Sequence, residues 1–150
     1  MPALVAERST SIFAPFLTDD VQDRPPEEFL LKLGARYLEI VTTPDALVMY
    51  RLVVAEISAR KEVAELFWRS GPGHARVLLS RYFAIQVKHQ MLKLDDPDQA
   101  ARDFIGLLLG TMHMECVLRL RSKPAPAEIE ASVRNVVRLF LDGCRVANSG

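Results

Sequence analysis

Thr42-Thr43-Pro44-Asp45-Ala46-Leu47-Val48-Met49-Tyr50-Arg51-Leu52-Val53-Val54-Ala55-Glu56 is the stretch on which the reading of this chain turns. Thr43 is a good N-cap and Pro44 suits the first helical position, because that position's missing N–H has no helical partner anyway. From Ala46 to Ile57 only Arg51 and Glu56 carry charge. A helix apolar nearly all round is expected to be a buried one. Eleven residues further on the chain reads Phe67-Trp68-Arg69-Ser70-Gly71-Pro72-Gly73, which stops a short helix beginning near Glu62.

Working outward, the apolar periodicity is helical almost everywhere and no period-two alternation persists. Ala3 to Leu17 reads as a helix interrupted by Pro15. Thr18 to Pro26 is a polar, proline-bearing linker. Pro26 opens the next helix with Glu27 and Glu28 in its first turn, where the helix dipole favours them, and Phe29, Leu33, Tyr37 and Val41 share one face. A long helix is expected from His74 to Leu92, broken by Leu94-Asp95-Asp96-Pro97. Asp96 and Gln99 have the spacing of a capping box for the helix that runs on to about Arg121. That helix carries two apolar stripes: Ala100, Phe104, Leu107 and Thr111 on one side, and Ala101, Ile105, Leu108 and Met112 on the other. Gly106 and Gly110, four apart, cost ~1 kcal/mol each in a helix interior, a cost that close approach of another helix or of a ligand would offset. Lys123-Pro124-Ala125-Pro126 is a stiff turn. The last helix, Ala127 to about Arg145, shows a narrow stripe of Ile129, Val133, Val136, Val137, Phe140 and Cys144. There is no internal repeat.

The chain of 150 residues has the length of a single domain, enough to bury ~70% of its unfolded surface. Hydrophobic residues make up 49% and charged residues 25%, and the 19 basic and 19 acidic side chains cancel. With an isoelectric point near 6.8 it lacks the basic excess of a nucleic-acid binder. Two cysteines, Cys116 and Cys144, make no disulfide framework, so a reducing cytoplasm is the expected compartment. The N-terminus does not read as a signal peptide, and the most apolar segment, Phe104 to Leu118, is short of the ~20 residues of a membrane span.

Seven or so helices with short connections predict an all-α domain. The residues support a narrower statement. The run Pro44 to Glu56, the Gly71-Pro72-Gly73 break, Asp95-Asp96-Pro97 through Gly106, and Ile129 to Phe140-Leu141 together resemble the regulatory half of transcription repressors of the tetracycline-repressor (TetR) family. Ala3-Leu4-Val5-Ala6-Glu7-Arg8 looks like the helix that leaves the DNA-binding domain in that family. Members often carry a proline in the stretch aligned with Ala59-Arg60-Lys61; this chain has none there. The resemblance implies residues 1–20 as the remnant of the connecting helix and 26–147 as the regulatory domain. No helix-turn-helix DNA reader precedes it in this sequence, so binding of DNA is expected only through a domain missing here.

The resemblance also implies partners and sites. In the family the last two helices build a four-helix bundle with a second subunit, so a homodimer is expected through Phe104, Leu107, Leu108, Thr111, Ile129, Val133, Val137, Phe140 and Cys144. The family's effector pocket lies between the middle helices and takes a small, largely apolar molecule. The candidates here are Tyr37, Met49, Tyr50, Val53, Phe67, Trp68, Tyr82, Gln86, Met112 and His113. Methionine and aromatic side chains suit an adaptable apolar pocket, and the same residues at helical spacing also suit plain core. A buried Gln86 needs a partner, which protein, water or ligand can supply. Arg51 calls either for an ion pair with a neighbouring helix or for an anionic effector.

Other chemistries find little footing. Met112, His113, Glu115 and Cys116 are metal-capable, but no paired Cys-x-x-Cys spacing accompanies them, and no metal or cofactor is expected. Cys116 with His113 or His89 lacks an oxyanion loop, a phosphate loop or a carboxylate pair, so the chain does not read as an enzyme. The alternative to a sensor is a non-sensing all-α dimerisation protein, with filled middle helices, that acts by pairing with a full-length relative.

Overall fold

The computed structural model describes residues 21–56, 60–144 and 146. Within them a short 3-10 turn, Val21–Asp23, precedes six α-helices: α1 Pro26–Val41, α2 Pro44–Glu56, α3 Lys61–Ser70, α4 Pro72–Lys88, α5 Pro97–Val117 and α6 Pro126–Cys144. There is no strand among the described residues, and the fold is all-α. The expected helix over Ala3 to Leu17 and the 1–20 segment lie outside the described residues.

Helix starts follow local chemistry. Prolines occupy the first position of α1, α2, α4, α5 and α6. At α2, Thr43 Oγ1 accepts from the Ala46 N–H at 3.2 Å. At α5, Asp96 Oδ1 accepts from the N–H groups of Asp98 and Gln99, both at 3.1 Å. The reciprocal half of the capping box is not formed: the Gln99 side chain is turned forward, its Nε2 donating to Asp103 Oδ1 at 3.0 Å, and its oxygen does not accept from the Asp96 N–H. The Gly71-Pro72-Gly73 break both ends α3 and starts α4. Helix α4 ends at Lys88, earlier than its apolar pattern suggests, in a turn with Gln90 at φ 58°.

The core lies between α1, α4, α5 and α6. Phe29, Leu30, Leu33 and Leu38 of α1, Leu79 and Phe83 of α4, Phe104 and Leu108 of α5, and Val133 of α6 are essentially solvent-free. Helix α4 packs most extensively on α5, and α1 on α6. Phe83 stacks on Phe140 at 5.3 Å between ring centres, and Phe104 meets the same ring edge-on at 5.1 Å, so three helices share one aromatic knot. Gly34 allows the closest approach: a methyl group at its Cα would lie 2.8 Å from Val133 Cγ1 and 3.0 Å from Leu108 Cδ2.

Helices α2 and α3 flank this core, with α2 packed on α3 and α5 and more lightly on α1. Only Leu47 and Val53 of α2 are buried, and Val48, Leu52 and Val54 are each at least half exposed. The expectation of a fully buried helix is therefore corrected. A helix at the edge of a bundle has neighbours on one side only, and its remaining apolar side faces outward in the single chain.

Candidate functional site

Three helices bring three of the expected pocket residues together. Tyr50 of α2 meets His113 of α5 edge to face, with ring centres 5.0 Å apart and planes at 90°. Phe67 of α3 approaches the same tyrosine at 6.5 Å and 67°. All three rings are half-buried. Burial lowers the His113 pKa from its ordinary value, so the imidazole is neutral at pH 7. Met49 is half-buried one residue before Tyr50, Val53 is buried one turn after it, and Met112 packs against the main core. Tyr50, Phe67 and His113 thus bring three rings, one of them a neutral imidazole, close together from three helices, side chains of the kind that can contact an apolar or aromatic molecule.

The other candidates sit elsewhere. Trp68 of α3 is 48% exposed, and its ring edge lies over Gly73, where an added methyl would come within 3.2 Å of the indole. Tyr82 and Gln86, one turn apart on α4, both reach the segment before α1. The Tyr82 hydroxyl donates to the Arg24 carbonyl at 2.6 Å, and the Gln86 amide donates to the Gln22 carbonyl at 2.7 Å. Tyr82 also stacks on Phe29 at 3.8 Å. Gln86 therefore has its partner in the protein backbone, and its place is a clamp on the 3-10 turn. Tyr37 is buried in α1; desolvation holds its hydroxyl, like that of Tyr82, well above the usual phenol range.

Arg51 forms no ion pair among the described residues. Its Nε donates to the Val117 carbonyl and its Nη2 to the Cys116 carbonyl, both at 2.9 Å. The guanidinium thus caps the C-terminus of α5, pairing the Val117 carbonyl and adding a second bond to that of Cys116, where the helix dipole favours a cation. Its neighbour Cys116 is buried, and desolvation raises its thiol pKa. No group of three or more His, Cys, Asp or Glu side chains among the described residues is placed to hold a metal ion.

The residues expected at a dimer contact fall in two sets. Phe104, Leu108, Ile129, Val133, Val137, Phe140 and Cys144 are buried within the single chain. Leu107 and Thr111 are exposed, on the outer side of α5. Gly106, Leu107, Gly110, Thr111 and Met114 continue that outer stripe, and nothing lies within 4 Å of where a side chain on either glycine would begin. Gly110, at φ 46°, kinks the helix. Ala131, Asn135 and Leu139 of α6 form a second exposed stripe. The two apolar sides that the sequence predicts for α5 are thus resolved into an inner side and an open one.

Over residues 28–143 the sequence matches the family described as the C-terminal domain of AefR-like transcriptional repressors, a TetR-type family. The chain belongs to this family. No curated protein matches it. Its fold is similar to that of a TetR-family transcriptional regulator from Mesorhizobium loti MAFF303099, with a TM-score of 0.78 and 18% identity, covering 97% of this chain and 70% of that one. It is also similar to the flavonoid-responsive regulator FrrA, with a TM-score of 0.76 and 24% identity, covering 96% of this chain and 72% of that one. No described helix is long and apolar enough to cross a membrane.

Proposed function

We propose that this TetR-family domain binds a small, largely apolar effector and dimerises, and that any effect on DNA runs through a separate DNA-reading domain. The observation that carries the sensing half is the convergence of Tyr50, Phe67 and His113 from three helices, half-buried and flanked by Met49 and Met112. A core residue has no need of partial exposure, whereas an effector wall has. Aromatic edges and faces suit a planar aromatic molecule, and the similar fold of FrrA serves a regulator described as flavonoid-responsive. In a two-state regulator the effector acts by binding one helix arrangement better than the other.

The dimerising half rests on the open stripe of α5 and the stripe beside it on α6. Small residues let another helix approach closely, and Leu107, Met114 and Leu139 supply apolar area to bury. The buried members of the expected set, such as Phe104 and Val137, support this surface from beneath.

The single tryptophan, one residue after Phe67, is a built-in reporter. Titration with a flavone is expected to quench Trp68 fluorescence saturably, and Tyr50→Ala and His113→Ala to weaken binding by about tenfold each, the loss expected for removal of one good aromatic or hydrogen-bond contact. Linear quenching without saturation, or wild-type affinity in both variants, refutes the pocket.

A further inference from the structure

A concavity lies where the N-terminal turn of α2 faces the end of α5 and the turn after it. It is an open hollow of about 240 Å³, lined by Thr42, Pro44, Leu47, Val48, Arg51, Cys116, Arg119, Arg121 and Lys123. Four of these nine residues are cationic and none is acidic. Two of the cations are engaged. Arg51 spends Nε and Nη2 on the α5 carbonyls, and Arg121 is bonded to Glu128 at 2.6 Å. No side-chain hydrogen bond or ion pair engages Arg119 or Lys123 among the described residues, so two cationic side chains without a direct partner border an apolar hollow.

Arg119 holds its place at a conformational cost. After α5 the chain closes a Schellman turn: the Leu120 N–H donates to the Glu115 carbonyl at 2.8 Å and the Arg119 N–H to the Cys116 carbonyl at 3.1 Å. The residue at the left-handed position of such a turn is usually glycine, and here it is Arg119 at φ 60°. Arg51 already neutralises the carbonyl end of the helix, so stability does not require a second cation at that point.

We infer that this groove is a binding site for a small organic anion with an apolar body, an aromatic or short-chain carboxylate. Pro44, Leu47 and Val48 receive the body, and Arg119 and Lys123 receive the carboxylate. The N-terminus of α2 adds favourable potential for the anion. The volume is below the ~300–1,000 Å³ of drug-sized pockets, which restricts the ligand to the scale of benzoate. A hydrated inorganic anion leaves the apolar wall unused, and a neutral isostere leaves the two cations unpaired. Arg51 follows Tyr50 on α2, but the groove shares none of its lining residues with the proposed effector wall and is a distinct site.

The test is an NMR titration of the 150-residue chain with sodium benzoate, against benzyl alcohol and inorganic phosphate. Benzoate is expected to shift amides of Thr42 to Val48 and Cys116 to Lys123 saturably, and more tightly than either comparison compound. Arg119→Gly removes the cation and relieves the backbone, so it is expected to leave the protein at least as stable. Combined with Lys123→Gln it should weaken benzoate by about tenfold or more, the value of a charge-assisted hydrogen bond. Tyr50→Ala should leave benzoate binding unchanged, which separates this site from the proposed effector wall. The inference is overturned if shifts are absent or fall on Tyr50 and His113, if benzyl alcohol or phosphate binds as tightly, or if the double variant binds like the wild type.

Discussion

The guanidinium of Arg51 and the backbone of Val117 are joined across 66 residues of sequence by a 2.9 Å hydrogen bond from Nε to the carbonyl oxygen, with a parallel bond from Nη2 to Cys116. One side chain of α2 therefore terminates α5. Arg51→Ala is expected to cost about 2 kcal/mol in urea unfolding, as loss of a charged hydrogen-bond donor does. Arg51→Lys should recover only part of this, since an ammonium lacks the planar fork. The last turn of α5 should also fray, so that Cys116 reacts faster with a thiol reagent while buried Cys144 on α6 serves as the internal reference. Equal stability and equal Cys116 reactivity in Arg51→Ala would show that the cap contributes nothing.

Gly34 sets the spacing of α1 against α5 and α6. An alanine there would put its methyl 2.8 Å from Val133 Cγ1, and a β-branched neighbour in a helix has few rotamers to retreat into. Gly34→Ala should therefore destabilise by ~1–3 kcal/mol despite its better helix propensity. Combining it with Val133→Ala, which removes the obstructing methyls, should be less damaging than the sum of the two single changes. Strict additivity in that double-mutant cycle would place the damage elsewhere.

How far the sequence was readable depended on how local each interaction is. The stripe Ile129, Val133, Val136, Val137, Phe140 and Cys144 is buried throughout, because helical periodicity alone decides which side of α6 turns inward. The Thr43 and Asp96 caps are equally local. Helix α2 resisted the same logic: its apolar residues announce a need for cover without saying where the bundle ends, and Val48 and Leu52 face outward. Nor can spacing show that Gln86 bonds the carbonyl of Gln22, or that Arg51 bonds carbonyls of α5. Those pairings are 64 to 66 residues apart and exist only once the helices are packed. Tyr50, Phe67 and His113 were recognisable as candidates from residue type, but their convergence, and the separation of Tyr82 from them, are products of tertiary structure.

The half-buried His113 gives stability a pH dependence of known sign. Burial lowers its folded-state pKa from the ordinary 6.5, so as pH falls below that value the unfolded chain takes up the proton first. Stability contributed by neutral His113 is complete above the unfolded pKa, declines as pH drops toward the folded pKa, and is constant below it. His113→Phe keeps a ring against Tyr50 and removes the titration. The difference in unfolding free energy between wild type and His113→Phe, measured from pH 7.5 down to pH 5, should therefore move steadily against the wild type, and a pH-independent difference would show that His113 is solvated like a free imidazole.

Leu107 tests the proposed subunit contact without touching the core. It is 44% exposed on the outer side of α5, next to Gly106 and one turn before Gly110 and Thr111. In the single chain Leu107→Glu places a carboxylate in water at almost no cost, whereas at the centre of a two-fold interface it buries two like charges close together. Light scattering is expected to show a dimer for the wild type and a monomer for Leu107→Glu, with helical circular dichroism retained. Phe104→Glu, three residues earlier but wholly buried, should instead unfold the chain, and that contrast separates loss of partner from loss of fold. A wild-type monomer, or a Leu107→Glu dimer, would move subunit contact away from α5.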